Sequence, residues 1–241
     1  NKGTHKGVKR LEEFARIVSK NYSSGCFALK LDIKKFFANV DHKILFELLR
    51  KKVKDTDVLE LLLRVITSYN SESGIGKGIP LGNLTSQIFA NIYLNELDQF
   101  VKQNLRINHY IRYADDFVIL SPNKDFLYQC IDISQQFLEV NLKLELHPDK
   151  ISIRKLTWGI DFLGYIVLPH YILPRTKTTR RMFKKIAEKI NEFENEKISE
   201  FSLNQTIQSY LGYLRHAKTY KLRCSLKAYQ GVGVGDGLGV G

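Results

Sequence analysis

Tyr113-Ala114-Asp115-Asp116 lies between Ile111-Arg112 and Phe117-Val118-Ile119-Leu120. Apolar and β-branched residues on both sides of a short polar dipeptide predict a β-hairpin, with both aspartates at a sheet edge. Two like charges at one site repel each other, and a bound divalent cation removes that cost. Because Asp is also a common turn residue, a solvated turn is the alternative interpretation.

A third carboxylate, Asp32, lies near the end of another predicted strand. In the segment Phe27–Ile33, apolar residues alternate with polar ones, which places Lys30 and Asp32 on the face opposite the apolar side chains. Two metal ions about 3.5–4 Å apart can activate an attacking oxygen and stabilise a leaving oxygen in phosphoryl transfer. Such a site needs carboxylates from separate segments, and Asp32 with Asp115 and Asp116 would supply them. Taken alone, Asp32 fits a solvated strand end better than a metal site; the later Asp115-Asp116 pair reverses that preference.

Five short motifs follow one another in an order that resembles reverse transcriptases. They are Leu31-Asp32-Ile33-Lys34-Lys35-Phe36-Phe37, Gly82-Asn83-Leu84-Thr85-Ser86-Gln87, Tyr113-Ala114-Asp115-Asp116, His147-Pro148-Asp149-Lys150 and Phe162-Leu163-Gly164-Tyr165. The resemblance covers the chain from Gly3 to about Lys227. It implies an α+β fold, a right-hand polymerase palm whose antiparallel sheet is backed by helices, with partial fingers and a helical thumb. The implied activity is that of an RNA-directed DNA polymerase, which copies RNA into complementary DNA by two-metal nucleotidyl transfer.

A finer resemblance is to the error-prone reverse transcriptases of diversity-generating retroelements. Most reverse transcriptases have Gln-Gly where this chain has Leu81-Gly82, and Ser-Pro where it has Ser86-Gln87. The segments Gly3-Thr4-His5-Lys6 and Ser209–Ala217 also resemble that group. A group II intron or retron reverse transcriptase remains an alternative, as does a non-catalytic RNA-binding derivative.

The resemblance implies roles for particular residues. Asp32 and Asp115 would bind two Mg²⁺ ions, for which Mn²⁺ can substitute, with Asp116 as a weaker partner. Lys150 would protonate the leaving pyrophosphate. The residues implied to contact the nucleotide are Phe37, Leu81, Gly82 and Tyr113, and those implied to grip the primer end are Phe162, Leu163, Gly164 and Tyr165. A core position for Phe37 and a plain surface position for Lys150 are the alternatives.

The charge of the chain favours a polyanionic partner. Of the net charge of +12, the segment 171–228 contributes +8, from thirteen Lys and Arg and five Glu. Its candidate nucleic-acid contacts are Arg175, Lys177, Arg180, Arg181, Lys184 and Lys185. A solvated helix face is the alternative. The implied partners are template RNA, primer and complementary DNA, deoxynucleoside triphosphates and a small basic accessory protein.

Several other classes of protein are disfavoured. Cys26, Cys130 and Cys224 lack metal-ligand spacing and are odd in number, which indicates reduced thiols. The glycine-rich segment Gly74–Gly82 lacks the Lys-Ser/Thr ending of a nucleotide-binding P-loop; it predicts close approach of a substrate or a flexible hairpin. Because neither a secretory signal nor a long apolar run is evident, we expect a cytoplasmic protein. The resemblance to retroelement enzymes implies that a prokaryote or phage encodes it.

The predicted domains are fingers and palm in residues 1–170, a helical thumb in 171–228 and a disordered glycine-rich tail in 229–241. Asn1 in place of Met suggests a fragment that lacks the triphosphate-binding finger strands of the family, which leaves the activity of this chain open.

Spacing and cap residues predict the individual elements. Helices are expected to start near Val8, after Asp41, after Asp55 or Thr56, and after Asn83 or Thr85, with later helices at 124–140, 178–195 and 203–216. The helix after Asn83 is expected to bury an apolar stripe that begins with Ile88. Further strands are expected at 142–146, 151–153 and 158–168.

Overall fold

The computed structural model describes residues 3–228, with the side chains of the last two left aside. The chain divides into two compact units. One is residues 13–155, and the other combines the described residues before 13 with those after 155. The predicted polymerase subdomains, with their boundary at residue 170, stay a prediction, and the predicted disordered tail lies outside the described residues.

Strands of the first unit form one antiparallel sheet in the order β2-β3-β1-β4. Its strands are β1 (Phe27–Asp32), β2 (Tyr110–Tyr113), β3 (Asp116–Ser121) and β4 (Ser152–Lys155). In the second unit, β5 (Ile160–Phe162), β6 (Tyr165–Leu168) and β7 (Tyr171–Pro174) form an antiparallel sheet in sequence order.

Helices make up most of the rest. They are α1 (Thr4–Val18), α2 (Phe36–Asn39), α3 (His42–Lys52), α4 (Thr56–Thr67), α5 (Leu84–Gln99), α6 (Lys124–Leu142), α7 (Thr176–Glu194), α8 (Glu200–Leu214) and α9 (Tyr220–Ala228). A π-helical turn, Phe100–Asn104, follows α5, and short 3₁₀ turns lie at Pro148–Lys150 and Leu156–Trp158. Within residues 3–228, no helix combines the length and apolar character needed to cross a membrane.

The core of the first unit lies between the sheet and helices α3, α5 and α6. Leu29 and Leu31 of β1 and Phe117 and Ile119 of β3 are fully buried there, because alternate residues of a strand point to the same face. The predicted antiparallel sheet backed by helices is therefore confirmed.

Two helix starts follow the predicted caps, and a third has a cap that was not predicted. Asp41 and Asp55, as predicted, and Asn123, which was not, each accept hydrogen bonds from two backbone N–H groups in the first turn of the following helix. These side chains satisfy donors that a helix start otherwise leaves unpaired. Asn83 precedes α5 as predicted, but its side chain makes no such bond.

The strand predicted at 142–146 is wrong. Helix α6 continues through Leu142, Lys143 ends it with φ of 50°, and only Leu146 makes an isolated bridge, to Ile33. The alternation behind the prediction is real, since Leu142, Leu144 and Leu146 are buried while the residues between them are exposed. The segment lines the core but does not form a continuous ladder.

Other departures are smaller. Trp158 lies in a 3₁₀ turn, so the strand predicted from residue 158 begins at Ile160. Ile88 is 51% exposed and so does not belong to the buried stripe of α5, which Phe89, Tyr93 and Leu97 form. Neither β7 nor α9 was predicted.

Candidate active site

The Tyr113–Asp116 segment forms the predicted hairpin, shifted by one residue. Tyr113 and Asp116 are paired across β2 and β3, so the two turn residues are Ala114 and Asp115. Ala114 has φ of 53°, which a tight two-residue hairpin requires and which residues other than glycine adopt at a cost. Asp116 therefore belongs to strand β3, and Asp115 alone lies in the turn.

A buried ion pair supports this turn. The Arg112 guanidinium donates to Asp98 Oδ1 at 2.8 Å, to Asp98 Oδ2 at 2.6 Å and to the Ala114 carbonyl at 2.9 Å. The hydroxyl of Tyr110 donates to Asp98 Oδ1 at 2.7 Å. Such a two-pronged pair fixes geometry as well as charge. Asp98 was not predicted as a site residue because it lies on α5, away from every motif.

Three carboxylates meet at one end of the first sheet. Asp32, the last residue of β1, lies directly opposite Asp116, the first residue of β3, in the antiparallel register. Asp115 precedes Asp116 in the turn. Register alone thus places residues separated by more than eighty positions side by side. Asp32 is only 8% exposed, so it is less open to solvent than the sequence suggested.

Two lysines contact these carboxylates. Lys150 Nζ donates to Asp32 Oδ1 at 2.9 Å, and Lys30 Nζ lies 3.2 Å from Asp116 Oδ2. The other carboxylate oxygen of Asp116, Oδ1, is buried and has no hydrogen-bond partner in the described part of the chain. An unpaired buried acceptor is costly, which marks this oxygen as one that a ligand can satisfy.

Burial and neighbouring groups raise the pKa values of Asp115 and Lys150. Burial is the largest cause of the raised pKa of Asp115, and the neighbouring carboxylates of Asp32 and Asp116 add to it. The hydrogen bond to Asp32 is the largest cause of the raised pKa of Lys150. A cation at this place lowers the cost of the Asp115 charge.

Within residues 3–228, no three His, Cys, Asp or Glu side chains are already arranged as a metal site. The chemistry of the donors nevertheless fits a divalent cation. Hard cations such as Mg²⁺ take carboxylate oxygens, and the unpaired Oδ1 of Asp116 and the costly charge of Asp115 are both relieved by positive charge.

The residues expected near the nucleotide occupy different environments. Phe37 is partly buried and packs edge-on against Phe36 with ring centroids 5.2 Å apart. Leu81 is 76% exposed, and Gly82 beside it has φ of 93°, which favours glycine. Tyr113 is 39% exposed at the end of β2. Phe37 is thus partly a core residue, whereas Leu81 has no packing role in this unit.

The candidate primer-grip residues form the hairpin between β5 and β6. Phe162 and Tyr165 are paired and buried, and Leu163 and Gly164 form the turn, with φ of 50° and 88°. Only the turn is therefore available to a ligand.

Side chains from distant segments hold this turn. The hydroxyl of Tyr213 donates to the Gly164 carbonyl at 2.7 Å, and that of Tyr165 donates to the Tyr213 carbonyl at 2.9 Å. His5 Nε2 lies 3.0 Å from the Tyr165 hydroxyl, and its ring stacks on His216. Two segments singled out in the sequence, near residues 3–6 and 209–217, thus meet at the same hairpin.

Five of the six candidate nucleic-acid contacts lie on one helix. Lys177, Arg180, Arg181, Lys184 and Lys185 are exposed on α7, while Met182 and Ile186 face the core of their unit. Lys185 Nζ lies 3.5 Å from Glu188. Arg175 differs from the others because its guanidinium pairs with Asp161.

An antiparallel sheet with acidic residues at the ends of adjacent strands, backed by helices, is the palm architecture of nucleic-acid polymerases. Residues 3–167 match the family described as reverse transcriptase (RNA-dependent DNA polymerase), and the chain belongs to that family. Reverse transcriptases use divalent metal ions, in keeping with the carboxylate oxygens of this site.

Curated relatives include a group II intron-encoded protein and a retron reverse transcriptase. The chain is 25% identical over 219 residues to the group II intron-encoded protein LtrA of Lactococcus lactis subsp. cremoris, covering 62% of this chain and 36% of LtrA. It is 31% identical over 116 residues to the retron Ec83 reverse transcriptase of Escherichia coli, covering 45% and 36% of the two chains. Protein YkfC of E. coli strain K12 is 27% identical over 177 residues, covering 58% and 46%. The chain spans less than half the length of these relatives.

Solved telomerase structures share the fold. Apo telomerase from Candida tropicalis superposes with a TM-score of 0.60 at 16% identity, covering 93% of this chain and 46% of the telomerase. The same telomerase with a TWJ fragment of telomeric RNA gives a TM-score of 0.59 at 16% identity, covering 95% and 43%. The predicted right-hand polymerase fold is confirmed.

Proposed function

We propose that this protein is an RNA-directed DNA polymerase that copies an RNA template into complementary DNA. The observation that carries the proposal is the meeting of Asp32, Asp115 and Asp116 at one sheet end, in a chain of the reverse transcriptase family. A generic basic RNA-binding protein needs no such cluster, because like charges brought together destabilise the fold unless they serve a ligand.

Asp32 and Asp115 would hold two Mg²⁺ ions, or Mn²⁺ in their place. When bound, such ions lower the pKa of the primer 3′-hydroxyl and neutralise charge on the leaving pyrophosphate. Asp116 has a lesser share, since Lys30 lies against its Oδ2 and only Oδ1 lacks a partner.

Lys150 would donate the proton that the leaving pyrophosphate takes up. The hydrogen bond to Asp32 raises the pKa of Lys150 and so opposes release of the proton, but the side chain is 54% exposed and would lose that bond on exchanging Asp32 for a phosphate oxygen. A proton donor must reach the leaving group, and an exposed side chain on a short turn has that freedom.

Template RNA, primer and deoxynucleoside triphosphates are the proposed substrates. The exposed cations of α7 support a polyanionic partner, because contacts to phosphates dominate the affinity of proteins for nucleic acids. Phe37, Leu81, Gly82 and Tyr113 are the proposed nucleotide contacts, and the Leu163–Gly164 turn is the proposed grip on the primer end. The cytoplasm of a prokaryotic cell is the proposed location.

The test is Asp115→Asn in primer extension on an RNA template. We expect extension to fall below detection while circular dichroism is unchanged, because the amide keeps the shape of the side chain but loses its charge. Asp132→Asn is the matched control, since Asp132 is an exposed carboxylate on α6 away from the site. Full extension by Asp115→Asn would refute the assignment.

A non-catalytic RNA-binding derivative is the competing function. It predicts tight RNA binding by the wild type without extension under any metal, and equal RNA affinity for wild type and Asp115→Asn. A polymerase predicts extension that requires both the metal and Asp115.

We further propose that the enzyme is the error-prone polymerase of a diversity-generating retroelement, with a structured template RNA and a small basic accessory protein as partners. Leu81 supports this subgroup. It is exposed beside Gly82 and offers no hydrogen bond, so it cannot penalise a misplaced nucleotide by leaving a polar group unpaired. A group II intron or retron enzyme is the alternative.

Leu81→Gln tests the subgroup. We expect several-fold fewer errors opposite template adenines, with activity kept, when the complementary DNA is sequenced. Leu84→Gln is the matched control because Leu84 is 74% exposed nearby, in the first turn of α5. Equal error spectra for wild type and Leu81→Gln would show that infidelity arises elsewhere.

A further inference from the structure

A small pocket lies between α8 and α9 in the helical part of the second unit. It has a volume of about 170 Å³ and is lined by Leu211, Arg215, Tyr220, Arg223 and Cys224. The lining therefore combines two guanidinium groups and a phenol with one apolar side chain and one thiol.

One nitrogen of a guanidinium group in this lining lacks a partner. Arg223 Nε is buried and makes no hydrogen bond with any described residue. Neither Arg223 nor Arg215 forms a salt bridge with a carboxylate of residues 3–228. A buried N–H donor without an acceptor costs stability, and no acceptor for it lies among residues 3–228.

The segment around the pocket contains basic residues but no acidic ones. Residues 201–228 contain five Lys and Arg and no Asp or Glu. A pocket in such a segment attracts anions, and the planar fork of arginine matches the oxygens of a phosphate group. The exposed phenol of Tyr220 adds a further donor at the rim.

We propose that this pocket binds a phosphate group, and that its occupant is a backbone phosphate of the polynucleotide. Arg223 supplies the buried contact and Arg215 the contact at the rim. The choice of a backbone phosphate rests on the proposed polymerase function, whereas the phosphate site itself rests on the pocket alone.

Cys224 provides a direct probe of occupancy. It is the exposed cysteine of the three, whereas Cys26 and Cys130 are buried, and burial raises the pKa of their thiols to about 12 and about 11. Alkylation under native conditions should therefore label Cys224, with the two buried thiols as internal controls against unfolding.

The experiment measures the alkylation rate of Cys224 in the full chain, with a single-stranded RNA oligonucleotide or with inorganic phosphate. We expect a saturating oligonucleotide to slow alkylation by on the order of tenfold, since the ligand covers the pocket. Inorganic phosphate should protect only at far higher concentration, because it gains nothing from contacts outside the pocket. Protection by inorganic phosphate but not by the oligonucleotide would overturn the backbone assignment and support a site for free phosphate.

Arg223→Gln and Lys221→Gln form the matched pair of variants. Both remove one positive charge from α9, but Lys221 is exposed and does not line the pocket. We expect Arg223→Gln to weaken oligonucleotide binding about 10- to 100-fold, as for loss of a hydrogen bond to a charged group, and Lys221→Gln to weaken it much less. Arg215→Gln, at the exposed rim, repeats the test if Arg223→Gln does not fold.

Equal effects of Arg223→Gln and Lys221→Gln, or no protection of Cys224 by either ligand, would overturn the proposal. The readout needs no polymerisation. In the Asp115→Asn variant, the oligonucleotide should protect Cys224 as it does in the wild type. The phosphate site can therefore be tested even if the protein is not a polymerase.

Discussion

Asp41 and Asp115 are carboxylates of the same compact unit, and their surroundings are opposite. Burial alone would raise the pKa of Asp41, but hydrogen bonds from Lys143 and from the N–H groups of Ile44 and Lys43 outweigh it, and the pKa is lowered. The pKa of Asp115 is raised by burial and then by its acidic neighbours. The fold therefore stabilises the charge of Asp41 and destabilises that of Asp115.

Asp98 resembles Asp41 because protein groups donate hydrogen bonds to both of its carboxylate oxygens. Its two oxygens accept from Arg112, and Oδ1 also accepts from Tyr110, so its charge is used within the fold. The comparison separates carboxylates that maintain the structure from carboxylates that the structure holds at a cost. Carboxylates of the second kind are where a cation or substrate gains binding energy, because the ligand removes a penalty already present.

The largest expected effect is that of Asp98→Ala. The Arg112 side chain is only 8% exposed, and its charge would be left without a partner. We expect the free energy of unfolding to fall by about 3–5 kcal/mol. Urea unfolding followed by circular dichroism measures this loss. Tryptophan fluorescence is unsuitable because the single tryptophan, Trp158, lies in the other unit.

Glu47→Ala is the control for Asp98→Ala. Glu47 pairs with Arg50 on the surface of α3, and both side chains are more than half exposed. Exposed pairs contribute about 0–1 kcal/mol. Similar losses for the two variants would mean that the Asp98 pair is no more important than a surface pair.

Asp41→Ala should have a smaller effect. It removes both the cap of α3 and the contact with Lys143 at 2.9 Å, and loss of a cap costs about 0.5–2 kcal/mol. Because the folded-state pKa of Asp41 is lowered, its contribution is present above the ordinary aspartate pKa and is lost as pH falls through the lowered value. The difference between wild type and variant should therefore shrink in acid.

Asp55→Ala separates the two parts of that effect. Asp55 caps α4 with the same pair of backbone bonds but is exposed and forms no salt bridge among the described residues. Any excess loss in Asp41→Ala over Asp55→Ala measures the contribution of Lys143. An Asp55→Ala loss as large as that of Asp41→Ala would show that the cap alone matters.

Local features of this fold could be predicted from the sequence. The caps at Asp41, Asp55 and Asn123 and the hairpin around Ala114 depend on residues within a few positions of one another. The meeting of Asp32 with Asp116 followed from two strand patterns and the order of motifs, although only the register shows that they are direct partners.

Contacts between distant residues were not predictable in this way. Asp98 and Arg112 bind each other because the fold brings the end of α5 to β2, and nothing in either segment signals it. The same holds for His5 beside Tyr165, which are 160 positions apart. The error at 142–146 has another cause, since alternating burial also arises where a chain runs along a core without pairing.

Asp115→Asn should have the smallest effect on stability, and of the opposite sign. The amide has no charge, so it removes the cost of a partly buried carboxylate beside Asp32 and Asp116. Because solvent screens a partly exposed charge, we expect the free energy of unfolding at neutral pH to rise by less than about 1 kcal/mol.

The pH dependence of Asp115→Asn gives the sharper test. A raised folded-state pKa means that the wild type is penalised only when Asp115 is ionised, so the advantage of the variant should be full above the raised pKa. It should fade as pH falls through that value and vanish below the ordinary aspartate pKa. With Mg²⁺ present, the wild type should become more stable to unfolding than Asp115→Asn, because a cation that binds the native wild type stabilises it by mass action. Urea unfolding of Asp115→Asn and Asp132→Asn, with and without Mg²⁺, decides it: a destabilised Asp115→Asn without metal would place Asp115 with Asp41 and Asp98 among the carboxylates that maintain the fold.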